Sequence, residues 1–135
     1  MLLNTIYNED CLITMGKMPN GFIDLVVTSP PYDNLREYKG FNFPFEAIAN
    51  ELYRILKDGG VCVWVVGDSV VNGSETLTSF KQAIYFQSIG FNVHDTMIYQ
   101  KDVMPFPEQT RYNQCFEYMF VLSKGKPKTF NAIKE

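Results

Sequence analysis

Ile23-Asp24-Leu25-Val26-Val27-Thr28-Ser29-Pro30-Pro31-Tyr32 is the stretch on which the fold turns. A run of apolar residues ends abruptly in a polar residue, two prolines and an aromatic ring. The run reads as a strand over residues 23–27. It stops at Ser29-Pro30-Pro31 because proline brings no N–H to a ladder. In open α/β sheets, ligands bind at the carboxyl edge of the strands, so this turn falls where a site is expected. The plainer alternative is a strand ended by prolines, with Tyr32 packed over it.

Working outward, Phe45, Ile48, Ala49, Leu52, Ile55 and Leu56 recur at helical spacing. They predict a helix over residues 44–58, ended by Gly59-Gly60. Val61-Cys62-Val63-Trp64-Val65-Val66 is apolar on both faces and predicts a strand in the middle of a parallel sheet. After a loop over 67–74, residues 76–88 predict a second helix, with Leu77, Phe80, Ala83, Ile84 and Gln87 toward the sheet and Gly90 closing it. A strand over 91–100, a polar Pro-rich loop over 102–113 and a last strand over 115–122, antiparallel at the edge, complete the pattern. Upstream, residues 3–7 read as a short first strand. Asp10 reads as the N-cap of a short helix that carries Leu12, Met15 and Met18 inward. Lys124-Gly125-Lys126-Pro127-Lys128 reads as a mobile basic tail. The alternation of apolar runs with amphipathic stretches gives an α/β class.

Composition sets the limits. The 135 residues fit one domain, and 46% hydrophobic with 15% aromatic residues is enough for a core. A membrane span needs ~20 apolar residues in a row, far more than residues 61–66 offer, so no membrane is expected. The N-terminus lacks the plan of a signal peptide. Cys11, Cys62 and Cys115 are odd in number, without Cys-x-x-Cys spacing, which suits a reducing, cytoplasmic setting. Asn72-Gly73-Ser74 reads as a turn rather than a glycosylation site. Twelve basic against 15 acidic residues give a net charge of −3, which weighs against nucleic-acid binding by this segment alone but leaves room for a local basic patch.

Many chemistries drop out. There is no Gly-x-Gly-x-x-Gly and no phosphate-binding loop sequence. His94 is the sole histidine, mid-strand, with no nucleophile signature beside it, and no metal cluster is expected. Ring-carbon methylation of cytosine needs a cysteine thiolate, typically after proline; none of the three cysteines follows one, and all read as small core residues. Glu75, Asp95 and Glu117 show no pairing that suggests acid/base work. The turn at Ser29 supports a narrower chemistry. An exocyclic amine on a nucleobase is a poor nucleophile, so a site must accept its hydrogens and draw the nitrogen toward tetrahedral geometry. Ser29 offers a hydroxyl, and the Ser29 and Pro30 carbonyls face no local donor because prolines follow. Tyr32 offers a flat face for a base taken out of its stack, worth ~1–3 kcal/mol.

The segment Thr28-Ser29-Pro30-Pro31-Tyr32-Asp33-Asn34-Leu35-Arg36-Glu37-Tyr38 resembles the catalytic motif of amino-group DNA methyltransferases, the N-4/N-6 methylase family. The likeness continues through Glu51-Leu52-Tyr53-Arg54-Ile55-Leu56-Lys57-Asp58-Gly59-Gly60, Val65-Val66-Gly67-Asp68 and residues 111–118, and so covers nearly the whole chain. It implies a Rossmann-like S-adenosylmethionine-dependent sheet, mostly parallel with an antiparallel edge strand. It implies Ser29, Pro30, Pro31 and Tyr32 as catalytic residues, and places Asp10, Cys11, Thr28 and Ser29 at the cofactor. For Asp10 the helix cap remains an equal alternative. Arg36, Lys39 and Arg111 are candidates for contact with double-stranded DNA, with exposed solubilising charge the alternative for each. The reaction implied is transfer of a methyl group to cytosine N4 or adenine N6 of a flipped base at a specific site, as in restriction-modification. An RNA-directed relative is a weaker reading.

Order carries a further expectation. Only 28 residues precede Ser29. A cofactor strand, glycine loop, helix and ribose-binding strand need ~50 or more, so they cannot lie upstream. This points to the permuted, beta-class order and to residues 1–135 as the catalytic half, with the target-recognition and glycine-rich cofactor segments absent. Such a half is expected to fold, to be inactive alone, and to self-associate or pair with a C-terminal half. The alternative is a non-catalytic remnant or complementing subunit.

Overall fold

The computed structural model describes residues 1–33, 43–102 and 110–134. Its elements run α1 (Cys11–Gly16), β1 (Ile23–Thr28), α2 (Phe45–Ile55), β2 (Leu56–Val66), β3 (Val70–Val71), β4 (Ser74–Glu75), α3 (Thr78–Ser88), β5 (Asn92–Gln100) and β6 (Phe116–Ser123). Four strands form a mixed sheet in the order β1-β2-β6-β5, and β3-β4 is a small separate hairpin. β1 and β2 run parallel, pairing Leu25 with Val61 and Thr28 with Trp64. β6 lies antiparallel between β2 and β5, pairing Trp64 with Phe120 on one side and Ile98 with Tyr118 on the other. The antiparallel strand predicted at the edge is therefore internal, and β2 has one parallel and one antiparallel neighbour.

α2 and α3 cover one face of this sheet. Ile48, Ala49, Leu52 and Ile55 of α2 are buried, as their spacing predicts, and meet Cys62, Trp64, Val66, Phe120 and Leu122. Phe86 of α3 joins them edge-on, with ring centroids 5.0 Å from Trp64 and 5.4 Å from Phe91. The Trp64 indole donates to Gln82 Oε1 at 2.9 Å, so the one polar atom of the largest core side chain is satisfied. Arg54 fastens α1 to α2, donating to the carbonyls of Met15 and Met18 and to Asn20.

The opposite face is open. Leu25 and Val27 are 58% and 67% exposed, Met97 and Tyr99 are 47% and 52% exposed, and Val61, Val63 and Val65 between them are half-buried. Cross-strand pairs place all of these on one side, because directly opposed residues share a face.

Four expectations are corrected. Residues 3–7 form no strand: Leu3 and Ile6 are exposed, and the Tyr7 hydroxyl donates to Leu2 O in a local turn. A short apolar run needs a neighbouring strand to pair with, and none of the described strands borders it. α2 ends at Ile55, not 58, because Leu56 turns extended, pairs with Ile23 and is fully buried. Gly59 and Gly60 therefore lie in an irregularity within β2; Gly59 adopts φ +80, and a β-carbon there would run into Lys128 Cγ. α3 is turned from its expected face: Ser79, Gln82, Ala83 and Phe86 are buried, whereas Ile84 is 66% exposed and Phe80 and Leu77 about half-exposed. Polar Ser79 and Gln82 can face inward because Asp68 and Trp64 satisfy them. The basic tail is docked rather than loose: Lys124 Nζ donates to the Tyr53 and Leu56 carbonyls, and Lys128 N–H to Gly59 O.

Candidate active site

β1 delivers Thr28 and Ser29 to its carboxyl end, beside the parallel end of β2. Thr28 is half-buried and Ser29 exposed, while Pro30 is buried and seats the turn. A cavity of about 640 Å³ opens here between α1, the β1 end and α2. Thr28, Ser29, Pro30 and Pro31 line it together with Cys11, and Glu9 is the acidic residue of its wall. Ile48, Leu52 and Trp64 give it an apolar floor. Asp10 sits beside this wall without lining it. Its carboxylate accepts from Leu12 N–H at 2.8 Å, as an N-cap does. Glu9 accepts from Thr14 and Lys17, and these bonds, Lys17 first, hold its carboxyl below the usual range.

Tyr32 is half-buried at the same carboxyl edge. Its ring lies over Gly67, which directly follows β2, and its hydroxyl donates to Glu117 Oε1 of β6 at 2.5 Å. Lys101 pairs with the same carboxylate oxygen. Glu117, for which no pairing was expected, is thus part of the site; its partner lies 85 residues away, so no local signal could have marked it.

Asp33 is the second residue that motif reading left aside. It adopts φ +49, a left-handed conformation that aspartate tolerates better than most residues. One oxygen accepts from Ser69 N–H, Ser69 Oγ and Thr76 Oγ1, the other from Thr78 Oγ1 at 2.5 Å. Burial pushes its pKa up, but the hydrogen bonds from Thr78, Thr76 and Ser69 outweigh it and leave the carboxyl below its usual value. The turn is thereby tied to the two residues that flank the β3–β4 hairpin and to the start of α3. Asp68 reaches the same edge and accepts from Ser79 N–H and Oγ, capping α3.

Burial pushes the Cys62 thiol up to about 12, and desolvation, then Asp10, raises that of Cys11. Among the described residues, no group of three or more His, Cys, Asp or Glu could hold a metal, and no helix is long and apolar enough to cross a membrane. Arg111 is exposed and donates to Gly73 O at 3.1 Å, on the β3–β4 turn. Arg36 and Lys39 lie outside the described residues.

Residues 23–135 match the family described as DNA methylase, N6_N4_Mtase. The chain is 63% identical over 113 residues to the orphan methyltransferase M.BamHII of Bacillus amyloliquefaciens, covering 84% of this chain and 43% of that protein. Among solved structures it superposes on the cytosine-N4-specific PvuII DNA methyltransferase with a TM-score of 0.73 at 22% identity, covering 90% of this chain and 50% of that one. It also superposes on the M1.HpyAVI–SAM complex with a TM-score of 0.68 at 20% identity, covering 96% and 58%. The chain thus spans about half the length of each of these three proteins.

Proposed function

The chain belongs to the N6/N4 DNA methylase family, and from that premise we propose that it is the catalytic half of an enzyme that methylates an exocyclic amino nitrogen, cytosine N4 or adenine N6, in double-stranded DNA. The observation that carries this reading is the turn over residues 29–32 at the carboxyl end of β1, opening on the cavity. Ser29 Oγ and the Ser29 and Pro30 carbonyls accept hydrogen bonds from the amine, orienting its lone pair for direct attack on the methyl group, and the proton shed on transfer passes to solvent. Tyr32 supports the flipped base. Pro30 and Pro31 fix φ, so these acceptors are preorganised; losing one such group costs on the order of a hundredfold in rate. High thiol pKa values at Cys11 and Cys62 favour direct transfer over a covalent enzyme intermediate.

The cavity suits S-adenosylmethionine, which supplies the methyl group when bound. Its volume lies within the range of small-ligand sites, and its apolar floor carries a few polar groups at the rim. Cys11, Thr28 and Ser29 line the wall that would hold it, with Asp10 beside them. Arg36, Lys39 and Arg111 are the proposed phosphate contacts, and the net charge of −3 requires that any DNA contact be local.

The test is a methyl-transfer assay with labelled S-adenosylmethionine and double-stranded DNA, using the chain alone and mixed with the unmatched remainder of M.BamHII. N4-methylcytosine or N6-methyladenine formed only in the mixture is expected. 5-Methylcytosine as the product would overturn the assignment.

The open sheet face and the exposed residues of β1 favour one second reading, a complementing subunit that does no chemistry of its own. A stable complex that transfers no methyl group would support it.

A further inference from the structure

Tyr32 reaches its place with its hydroxyl already engaged. The acceptor, Glu117, stands on β6 with its side chain only 12% exposed. Antiparallel pairing matches Val66 with Tyr118, and the same register carried one residue further sets Gly67 opposite Glu117. The ring therefore crosses Gly67 at the end of β2, and its hydroxyl lands on the next strand. Contact with Gly67 limits how far the ring can approach the sheet and bears on the face it presents. A hydrogen bond to a carboxylate, roughly twice as strong as one between neutral groups, pins the hydroxyl and with it the direction in which the ring extends from the backbone. Lys101, just beyond β5, pairs with the same oxygen and favours the charged acceptor. Phenylalanine would fill the same space at position 32 but could not be held this way.

We propose that Glu117 is a positioning residue for Tyr32: through the hydroxyl it holds in place the ring on which the target base rests, and it acts on the reaction only through that ring. This rests on the reading of Tyr32 as the base platform. Glu117→Gln keeps the side-chain shape and replaces the charged acceptor by a neutral amide. Tyr32→Phe removes the donor. If the two residues act as a unit, each substitution should produce most of the effect of both together.

The experiment is NMR on the chain with ring-labelled tyrosine and carboxyl-labelled glutamate, the Tyr32 signal being the one lost in Tyr32→Phe. In Glu117→Gln the Tyr32 ring signal should shift and its hydroxyl proton should exchange about tenfold faster or more, the other tyrosines staying in place. A Tyr32 signal unmoved in a folded Glu117→Gln chain overturns the proposal. If Glu117→Gln does not fold, Tyr32→Phe decides instead: a shifted Glu117 carboxyl signal supports the tether and an unmoved one overturns it. Methyl transfer separates the two readings. Transfer that survives Tyr32→Ala sinks the base platform, and with it Glu117's effect on the reaction, while the ring signal still reports whether the tether exists.

Discussion

Gly67 and Tyr32 are packed so closely that a β-carbon at position 67 would lie 3.1 Å from Tyr32 Cε2 and 3.2 Å from its hydroxyl oxygen. The end of β2 is thus shaped around the aromatic ring that follows the two prolines, and the absence of a side chain there is what lets the ring reach Glu117. Gly67→Ala should push the ring outward and loosen its bond to Glu117. A cost of about 1–3 kcal/mol in stability is expected from such overpacking, read from urea unfolding. In a complemented enzyme, transfer should fall while cofactor affinity holds; equal loss of both would mean a general folding defect instead.

Gln82→Leu should strand the Trp64 indole. That N–H is buried and donates to Gln82 at 2.9 Å, so removing the acceptor leaves a desolvated donor, costing about 1–3 kcal/mol. Trp64 is the only tryptophan, so its fluorescence reports the unfolding midpoint directly. An unchanged midpoint would show that the indole finds another acceptor.

These two sites show what was legible in the sequence. The helical period of Ile48, Ala49, Leu52 and Ile55 and the apolar run at 61–66 marked the core, because both patterns are local and one-dimensional. The proline-ended strand marked the site edge for the same reason. Gly59-Gly60 misled because glycine punctuates strand irregularities as readily as helix ends. α3 misled because hydrophobicity alone assigns Ser79 and Gln82 outward, whereas Asp68 and Trp64 satisfy them within. Glu117 and Asp33 could not be read at all: their roles arise from partners 85 and between 36 and 45 residues distant in the chain.

Asp33 should shape the acid limb of stability. Its folded pKa is lowered, so its contribution is fully present above the ordinary carboxylate range and is lost as pH falls through the lowered value. Glu9 and Glu51 are lowered too, so the parent chain carries several such contributions. Asp33→Asn should therefore destabilise most at neutral pH, the difference from the parent shrinking toward about pH 3. Urea midpoints across that range decide it, and a difference that grows on acidification would contradict the assignment.

Cysteine reactivity should follow burial. Cys62 is fully buried with its thiol pushed up to about 12, so it should resist a disulfide reagent until the chain unfolds. Cys11 is exposed at the cavity wall and should react in the native state, though slowly, since desolvation and Asp10 hold its thiol above the usual value. Bound S-adenosylmethionine in a complemented enzyme should slow Cys11 further. Equal labelling of Cys11 with and without cofactor would place the cofactor elsewhere.

The open face of the sheet should govern association. Leu25 and Val27 on the outer strand, with Met97 and Tyr99 across the sheet, leave apolar surface unpaired while α2 and α3 cover the other side. β1 also presents backbone donors and acceptors along its free edge, which invites strand pairing. We therefore expect the chain alone to self-associate. Val27→Lys places a charge on the outer-strand side of that patch, where the side chain is 67% exposed. The substitution should leave the Trp64 environment and the unfolding midpoint unchanged and shift light scattering toward monomer. A monomeric parent chain would show that the exposed face is tolerated in solution. Association undiminished by Val27→Lys would place the contact elsewhere, with the outward side of α3, where Ile84 is 66% exposed, as the next surface to substitute.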